Sequence, residues 1–347
     1  MELKNLVRKN ILELEPYTSA RSSHLSGILM DANENSFGSV VDNFIELELN
    51  RYPDPFHTEL RSELSSYLSI PAENIFCGVG SDEIIDLLIR IFCEPQKDKA
   101  IILNPTYGMY KVSCNINNVE TVGISLTEDF QIDVAATINS FDDSTKLIFC
   151  CSPNNPTGNL LRLNDIKSIA EKFNGIVVVD EAYIDFSENN SATGLVLTYE
   201  NIVVIRTFSK AWGLAGLRLG YCIVSKEIIN LLYKIKLPYN LNKVTTALAV
   251  KALRTKERKD EFVRLITSER TKLAGELSSF EKVKRIFPSD ANFILFEVEN
   301  AGDVYNELVK SGIIIRNRCK DVKDTLRVSV GTPQQNELFL TELRKVL

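Results

Sequence analysis

Three short polar segments each follow an apolar run that is rich in β-branched residues. Asn155 lies in PNNPTG after the run LIFCC, Asp180 and Tyr183 lie in DEAY after GIVVV, and Lys210 follows NIVVIRTFS. Because the carboxyl ends of parallel strands meet at one edge of a sheet, we expect these side chains to converge on one crevice. Each segment alone fits a turn, a helix cap or a surface charge, but the three together predict a site.

The residue types in and after these segments indicate one kind of chemistry. A lysine amine can form a Schiff base with an aldehyde, an aspartate can hold a protonated pyridine nitrogen, and an arginine with nearby hydroxyls can hold a phosphate. Lys210 would form the Schiff base, and Asp180 would pair with the pyridinium. Arg218, eight positions later (218 − 210 = 8), would reach the phosphate together with Thr207 and Ser209. The sequence therefore predicts a pyridoxal 5'-phosphate site.

A second phosphate-binding segment is predicted at FCGVGSDE, where a strand end meets two glycines and the start of a helix. Backbone N–H groups at such a turn point at an anion, and the helix dipole favours it. We assign the contact to Ser81 and to the backbone at Gly80 and Asp82, since the carboxylates of Asp82 and Glu83 would oppose an anion if they faced inward. A dinucleotide-binding GxGxxG turn is the alternative, but Glu83 at its third glycine position fits close helix packing poorly.

The elements that must position these residues alternate along the chain from about residue 75 to residue 225. The runs KAIILN, KLIFCCS, GIVVVDE and NIVVIRTF are apolar almost throughout, which is typical of strands buried on both faces of a largely parallel sheet. Longer amphipathic stretches separate them and predict flanking helices. One of these, SDEIIDLLIRIF, has a helical apolar face formed by Ile84, Ile85, Leu88, Ile91 and Phe92.

The pattern changes after Leu237. A long charged helix is predicted around 257–279, followed by the shorter segments NFILFEV, GIIIRNR and TLRVSV with helices between them. We therefore predict an α/β fold with a large domain at 31–237, built on a mostly parallel sheet flanked by helices. Residues 1–30 and 238–347 would form a smaller α+β domain.

Composition excludes several classes of protein. The 347 residues are 44% hydrophobic and 25% charged, with a formal net charge of −6, which gives no indication of a nucleic-acid or membrane partner. The start, MELKNLVRKNILELEPY, interrupts its apolar residues with charges, so we predict neither a signal peptide nor a spanning helix, and a cytoplasmic location. Seven cysteines without a CxxC pair indicate reduced thiols. Two histidines are too few for a multi-histidine metal site, and no metal is predicted.

The segment TFSKAWGLAG at 207–216 resembles the pyridoxal-phosphate attachment motif of the class II aminotransferases of fold type I, and it occurs with NNPTG, DEAY and Arg218 in the order of that family. The wider set of motifs resembles the histidinol-phosphate aminotransferases. The matching segments are EPYTSAR (15–21), DANENSFG (31–38), RYPDP (51–55), GVGSDE (78–83), PTYGMY (105–110), PNNPTG (153–158), DEAYIDF (180–186) and LRVSVGT (326–332). Ser36 departs from the pattern, because the family usually has proline after NEN.

This resemblance implies an aspartate-aminotransferase-like fold and roles for residues around the cofactor. Tyr107 would stack on the cofactor ring, and Asn155 and Tyr183 would hydrogen-bond its phenolic oxygen. Tyr52 would reach the cofactor phosphate from the neighbouring subunit of a homodimer. The residues taken without the resemblance predict no dimer, and Tyr107 taken alone fits a core aromatic equally well.

The resemblance also implies the substrates. Arg327 would bind the α-carboxylate of glutamate, and Asn33 would lie near that carboxylate. Arg316 with Tyr17 would bind the phosphate of histidinol phosphate. The implied reaction exchanges an amino group between L-histidinol phosphate or imidazole acetol phosphate and 2-oxoglutarate or L-glutamate, in histidine biosynthesis.

Other functions stay open at this point. One is a different class II aminotransferase, acting on aromatic amino acids, and another is a threonine-phosphate decarboxylase-like enzyme. A regulator that only senses pyridoxal phosphate would normally carry a basic DNA-binding segment, for which the chain has no spare length. A Ser-Lys hydrolase using Ser209 or Thr207 would leave Asp180, Arg218 and Asn155 without roles.

Overall fold

The computed structural model describes residues 28–31, 33, 35–38, 52–187 and 191–347. Tyr17 and the rest of segment 1–27 lie outside the described residues. In chain order the strands are β1 (Ile28–Leu29), β2 (Ile75–Val79), β3 (Lys99–Asn104), β4 (Glu120–Ser125), β5 (Thr145–Cys151), β6 (Ile176–Asp180), β7 (Ile202–Thr207), β8 (Leu219–Ile223), β9 (Val283–Ile286), β10 (Phe293–Val298), β11 (Ile313–Ile314), β12 (Arg316–Asn317) and β13 (Thr325–Ser329).

The α-helices of the described residues alternate with these strands in the first two thirds of the chain. They are α1 (Thr58–Leu68), α2 (Gly80–Phe92), α3 (Met109–Ile116), α4 (Val134–Asn139), α5 (Leu163–Lys172), α6 (Thr193–Val196), α7 (Lys226–Ile235), α8 (Lys243–Arg254), α9 (Lys256–Ser278), α10 (Ala301–Lys310) and α11 (Pro333–Val346). None of them has the length and apolarity that a membrane crossing requires.

Seven strands form the larger sheet, in the order β2-β8-β7-β6-β5-β3-β4. The strands predicted from KAIILN, KLIFCCS, GIVVVDE and NIVVIRTF are confirmed as β3, β5, β6 and β7, and they pair in parallel. Within this sheet β8 alone runs antiparallel, between β7 and β2. The prediction of a largely parallel sheet is therefore confirmed, although LGYCI had not been recognised as the antiparallel strand.

Both faces of this sheet are covered, as the unbroken apolar runs predict. Successive residues of β3 alternate between two cores, Ile101 packing with α1, α5 and α8 and Ile102 with α2, α3 and α7. The predicted apolar face of α2 is confirmed at Ile84, Ile85 and Leu88, which are fully buried. Helices on both faces leave the strand ends as the place where polar side chains can meet.

A second, antiparallel sheet is built from the last part of the chain, in the order β12-β13-β10-β9. The long charged helix is confirmed as α9, which packs with α10 and α11 on the core of this sheet. The segment GIIIRNR contains two strands that belong to different sheets. Its first strand, β11, pairs with β1, and its second strand, β12, pairs with β13. A smaller cluster that includes Tyr183, Ala211 and Phe293 links this sheet to the loops after β6 and β7.

Candidate active site

A cavity of about 220 Å³ opens at the carboxyl ends of β5, β6 and β7. Its lining residues are Ser81, Asp82, Tyr107, Cys151, Asn155, Asp180, Ala182, Tyr183, Thr207, Ser209, Lys210, Ala215 and Arg218. The structure thus brings together the three polar segments that follow these strands, the start of α2 and the loop before β8. Parallel pairing in register places Cys151 beside Asp180 at the floor of the cavity.

Asp180 is the acidic group of the cavity floor. Its Oδ2 atom accepts a hydrogen bond of 2.7 Å from the Tyr110 hydroxyl, and its Oδ1 atom accepts one of 3.1 Å from the backbone N–H of Ala182. Burial raises the pKa of Asp180 to about 6, and the two donors partly oppose that rise. A buried carboxylate with two fixed donors and further lone pairs is suited to accept a proton-bearing nitrogen from a ligand.

Aromatic rings form one wall beside Asp180. Tyr110 stacks on Phe149 with ring centroids 4.7 Å apart, and Tyr107 meets Tyr110 edge-on at 5.5 Å. Tyr107 lines the cavity, and its hydroxyl donates to Asp82 across 3.3 Å. A flat ligand ring could therefore lie against Tyr107, which is itself supported from behind.

Lys210 and Tyr183 lie together on the side toward the antiparallel sheet. The Lys210 ammonium nitrogen is 5.6 Å from the centroid of the Tyr183 ring. The Tyr183 oxygen accepts a hydrogen bond of 3.2 Å from the Asn33 amide, and burial raises its pKa to about 12. Tyr183 is therefore protonated at neutral pH, and its own O–H can donate to a ligand.

Arg218, Ser209 and Thr207 form a cationic and hydroxyl-rich end of the cavity. Arg218 Nη1 lies 3.4 Å from Ser209 Oγ, and the hydroxyls of Ser209 and Thr207 are 2.9 Å apart. Arg218 has a left-handed backbone, with φ of 51°, and its carbonyl accepts a 2.9 Å hydrogen bond from Gly80 N–H. These groups can hold a phosphate in a fixed place.

The two carboxylates of GVGSDE turn in different directions. Glu83 faces away from the cavity, because it accepts hydrogen bonds from Val79 N–H at 2.6 Å and from the Asn240 amide at 2.9 Å. Asp82 lines the cavity and lies 3.4 Å from Arg218 Nη2. A bound phosphate would therefore compete with Asp82 for Arg218, while Ser81 and the first N–H groups of α2 stay available to it.

Gly220 keeps the phosphate segment close to β8. A Cβ atom at position 220 would lie 2.4 Å from the backbone nitrogen of Ser81 and 2.5 Å from the carbonyl carbon of Gly80, both of which are backbone atoms. We expect Gly220→Ala to lower the free energy of unfolding by about 1–3 kcal/mol and to weaken cofactor binding, since the start of α2 must move. Thermal unfolding and titration of the apoprotein with pyridoxal phosphate measure the two effects.

Gly302 supplies the matched control for that substitution. It lies in α10, has nothing within 4 Å of its Cβ position, and lacks a positive φ. Gly302→Ala should stabilise the protein by about 0.5–1 kcal/mol through helix propensity and leave cofactor affinity unchanged. Equal cofactor affinity in the two variants would contradict the part assigned to Gly220.

Arg327 and Arg316 face each other across β12 and β13. Arg327 is buried, and its Nη1 donates to Asn155 Oδ1 while its Nη2 donates to the Asp31 carbonyl at 2.9 Å. Arg316 is half-buried. The register thus brings a second guanidinium to the same face of the sheet as Arg327, which itself contacts the cavity residue Asn155.

Asn33 and Tyr52, which were also predicted for the site, lie outside the cavity lining. Asn33 lies behind Tyr183 and exchanges hydrogen bonds of 2.8 Å with the Ser329 hydroxyl through its N–H and its Oδ1. Tyr52 is 79% exposed and stacks on Tyr239 with centroids 4.6 Å apart. Tyr17 lies outside the described residues.

Two residues next to Asp180 were missed by sequence reasoning. Cys151 is the last residue of the run LIFCC, two positions before the PNNPTG turn, and this position places it at the strand end. Tyr110 is the last residue of PTYGMY, and its spacing of three residues from Tyr107 places both rings on one side of a helical turn. Neither contact follows from the residue type, because both depend on strand pairing and helix packing.

The fold and this cavity agree with the comparisons to known proteins. The family model described as aminotransferase class I and II matches residues 27–343. The chain therefore belongs to the class I and II aminotransferases, which use pyridoxal phosphate, and it has their aspartate-aminotransferase-like fold.

Sequence similarity over nearly the full length of the chain identifies the family within this class. A histidinol-phosphate aminotransferase of Cytophaga hutchinsonii is 46% identical over 99% of this chain and 98% of its own length. By this similarity the chain is a member of the histidinol-phosphate aminotransferase family.

Solved structures of histidinol-phosphate aminotransferases have the same fold as this chain. The histidinol-phosphate aminotransferase from Clostridium acetobutylicum superposes with a TM-score of 0.84 at 29% identity, covering 91% of this chain and 98% of that one. The enzyme of the same name from Sinorhizobium meliloti, solved in complex with pyridoxal-5'-phosphate, has a TM-score of 0.85 at 20% identity, covers 98% of this chain and 97% of that one, and supports the fold.

Proposed function

We propose that the protein exchanges an amino group between L-histidinol phosphate or imidazole acetol phosphate and 2-oxoglutarate or L-glutamate, in histidine biosynthesis. The observation that carries this proposal is that Lys210, Asp180 and Arg218 line the same cavity. The substrate is supported by the family membership, since relatives of that name are 41–46% identical over the full length.

The cavity fits pyridoxal phosphate at both of its ends. Arg218, Ser209 and Thr207, with Ser81 and the N–H groups after Gly80, would hold the phosphate. A side chain at position 80 would fill part of this cradle, because its Cβ would lie 2.7 Å from Arg218 Nη2. When bound, the cofactor supplies an electron-accepting ring that stabilises negative charge at the substrate α-carbon.

The cavity residues would orient that ring and keep it electron-accepting. Asp180 would accept a hydrogen bond from the protonated ring nitrogen, and Tyr107 would lie against the ring face. Tyr183 would donate its hydroxyl proton to the phenolic oxygen. Asn155 would do so through its amide N–H, because its Oδ1 atom already accepts from Arg327.

Lys210 would hold the cofactor and then move a proton at the substrate α-carbon. A lysine amine does both when its neighbours keep it close to the reacting atom. Arg327 would bind the substrate carboxylate with its planar fork. Arg316 and Tyr17 would bind the distal anion, which is a carboxylate in glutamate and a phosphate in histidinol phosphate. Asn33 would lie near the substrate carboxylate, and its amide would hold Tyr183.

The reaction type separates the proposal from its alternatives. The purified protein with pyridoxal phosphate, L-histidinol phosphate and 2-oxoglutarate should form L-glutamate without releasing carbon dioxide. Carbon dioxide release from threonine phosphate would support a decarboxylase-like enzyme. Turnover of aromatic amino acids at a higher kcat/KM than histidinol phosphate would support the other class II aminotransferase.

Arg316→Gln tests the distal anion site. We expect kcat/KM for histidinol phosphate to fall by about 10–100-fold, since a charge-assisted contact to the phosphate is lost. The kcat/KM for an amino acid with an uncharged side chain should stay within about threefold, because no such contact forms. Steady-state kinetics with both donors measures this difference, and an equal loss for both would mean that Arg316 acts only on the fold.

We further propose a homodimer in which Tyr52 of one subunit completes the phosphate site of the other. Tyr52, Phe56 and Leu237 are 79%, 55% and 72% exposed, and Tyr239 stacks on Tyr52, so large apolar side chains cluster on one surface. Clusters of this kind mark protein interfaces. The domain boundaries at 31–237 and at 1–30 with 238–347 stay predictions, as does the cytoplasmic location.

Mixing two inactive variants tests the shared site. Tyr52→Ala and Lys210→Ala are each expected to be strongly impaired. Their equimolar mixture, after subunit exchange, should recover roughly a quarter of wild-type activity, because half of the random dimers are mixed and each mixed dimer holds one intact site. Activity that stays at the sum of the two variants after exchange, with mixed dimers shown by mass spectrometry, would place Tyr52 in its own subunit's site.

A further inference from the structure

Tyr110 is a buried tyrosine whose hydroxyl contacts the acidic group of the cavity floor. Its side chain is 0% exposed, it does not line the cavity, and its O–H lies 2.7 Å from Asp180 Oδ2. Burial and the nearby Asp180 charge raise the pKa of Tyr110 well above its usual value of 10.0. The hydroxyl therefore stays protonated, and it donates to Asp180 whenever that carboxylate is ionised.

Packing holds this donor in one position. Phe149 on β5 lies parallel to the Tyr110 ring at 4.7 Å with an interplanar angle of 7°, and Tyr107 meets the ring edge-on. Tyr110 is in the first turn of α3, and Cys114, about one turn later in the same helix, is also fully buried. The ring cannot turn away without opening the core between α3 and β5.

Asp180 needs such a donor, because its surroundings oppose ionisation. The groups that face it are the Asp82 carboxylate from α2, the Cys151 thiol from β5, the Tyr183 hydroxyl and the Lys210 ammonium. Burial and the Asp82 charge raise the pKa of Asp180, whereas Tyr110, the Ala182 N–H and Lys210 lower it. Two donors on different oxygens also fix the plane of the carboxylate and leave its remaining lone pairs toward the cavity.

We propose that Tyr110 is a positioning residue that holds Asp180 ionised and aimed at the ring nitrogen of the cofactor. This inference rests on the proposed function, because it concerns how the same site selects a protonated ring nitrogen. Tyr110 does not line the cavity, so it would act on the cofactor through Asp180. Its loss would weaken the preference of the site for a ring that carries a proton-bearing nitrogen.

Two cofactors that differ at one atom test the role. Apoprotein is titrated with pyridoxal phosphate and with its 1-deaza analogue, in which a C–H group replaces the ring nitrogen, and the ratio of the two dissociation constants is measured. The wild type should prefer pyridoxal phosphate. Tyr110→Phe keeps the stacked ring and removes only the hydroxyl, and the preference should fall about tenfold, as expected for one hydrogen bond to a charged group.

The pH dependence of that ratio gives a second readout. In the wild type the preference should disappear as the pH falls through the pKa of Asp180, which is about 6 before the cofactor binds. Because the Tyr110 hydroxyl lowers this pKa, its removal raises the pKa, and the preference of Tyr110→Phe should disappear at a higher pH. A residue that only fills space would change both affinities equally and leave the ratio and its pH midpoint unchanged, which overturns the inference.

Tyr221→Phe is the matched control. Tyr221 is a tyrosine in β8 with 2% exposure, and its hydroxyl interacts with Arg206 and not with Asp180. The Tyr221→Phe variant should lose about as much free energy of unfolding as Tyr110→Phe, and it should keep the wild-type ratio of the two dissociation constants. If the wild-type protein itself showed no preference for pyridoxal phosphate over the 1-deaza analogue, the role proposed for Asp180 would be contradicted. The failure of the proposed function is therefore distinguishable from the failure of the inference about Tyr110.

A second variant applies if Tyr110→Phe does not fold. Incorporation of 3-fluorotyrosine at position 110 keeps the ring and the hydroxyl and makes the hydroxyl a stronger donor. The preference for pyridoxal phosphate should then rise, and its pH midpoint should move down. An unchanged ratio in this folded protein would overturn the inference.

Discussion

Replacing Lys210 with alanine is expected to reduce transamination by at least about 10⁴-fold, because one side chain supplies both the covalent contact to the cofactor and the proton transfer at the α-carbon. The cavity, the acidic floor and the phosphate end keep their residues in this variant. Pyridoxal phosphate should therefore still bind, with lower affinity and without a covalent link to the chain.

Borohydride reduction followed by mass spectrometry separates these two effects. The wild-type chain should gain the mass of one cofactor less one oxygen atom at Lys210, because the Schiff base forms with loss of water and reduction adds two hydrogens, and the variant should gain none. Lys226→Ala is a suitable control, since Lys226 is an exposed residue of α7 that pairs with Glu73 at 3.1 Å on the surface. A Lys210→Ala protein with more than about a tenth of the wild-type kcat would refute the role proposed for Lys210.

Asp180→Asn is expected to lower kcat by about 10²–10³-fold, the size of effect seen when one preorganised electrostatic contact is removed. Asparagine has nearly the same shape, and its Oδ1 atom can still accept from Tyr110. Its Nδ2 group would then take the place of the oxygen that accepts from the Ala182 N–H, and it offers a donor where the carboxylate offered an acceptor. A protonated ring nitrogen would lose its partner, and the ring would withdraw electrons less well.

Single-turnover kinetics with L-glutamate, combined with the deaza-analogue ratio, measures this change. The ratio should fall to near unity in Asp180→Asn, because neither ring is then preferred by charge. Thermal unfolding shows whether the amide is tolerated in the core. A kcat within about tenfold of the wild type, with an unchanged ratio, would mean that another group protonates the ring.

The sequence predicted the central part of the site because its residues follow strands. Asn155, Asp180 and Lys210 each come at the end of an apolar run, and parallel strands must bring such ends to one edge of the sheet. The order of the runs and their lengths were sufficient for this, since strands buried on both faces leave no other place for a charge. Lys210, the one lysine of the stretch RTFSKAWGLAGLRLGY (206–221), lies in that cavity.

Contacts between distant segments could not be predicted in the same way. The Tyr110 hydroxyl meets Asp180 across 70 residues of sequence, and Arg327 meets Asn155 across 172. The opposite orientations of Asp82 and Glu83 depend on Arg218 and Asn240, which belong to other parts of the chain. No local pattern encodes which of two adjacent carboxylates finds a distant donor.

By itself the sequence determined the parallel strands β3, β5, β6 and β7 of the large sheet, the helix α2, the edge at which the site forms, and the residue types that suit pyridoxal phosphate. These follow from local periodicity and from the rule that polar groups leave a buried sheet at the ends of its strands. The tertiary structure alone decided the antiparallel insertion of β8 and the pairing that sets Arg316 opposite Arg327. It also decided which neighbours set the charge of Asp180. Those features depend on burial and on distances between segments that are far apart in the chain, and burial is a property of the packed molecule.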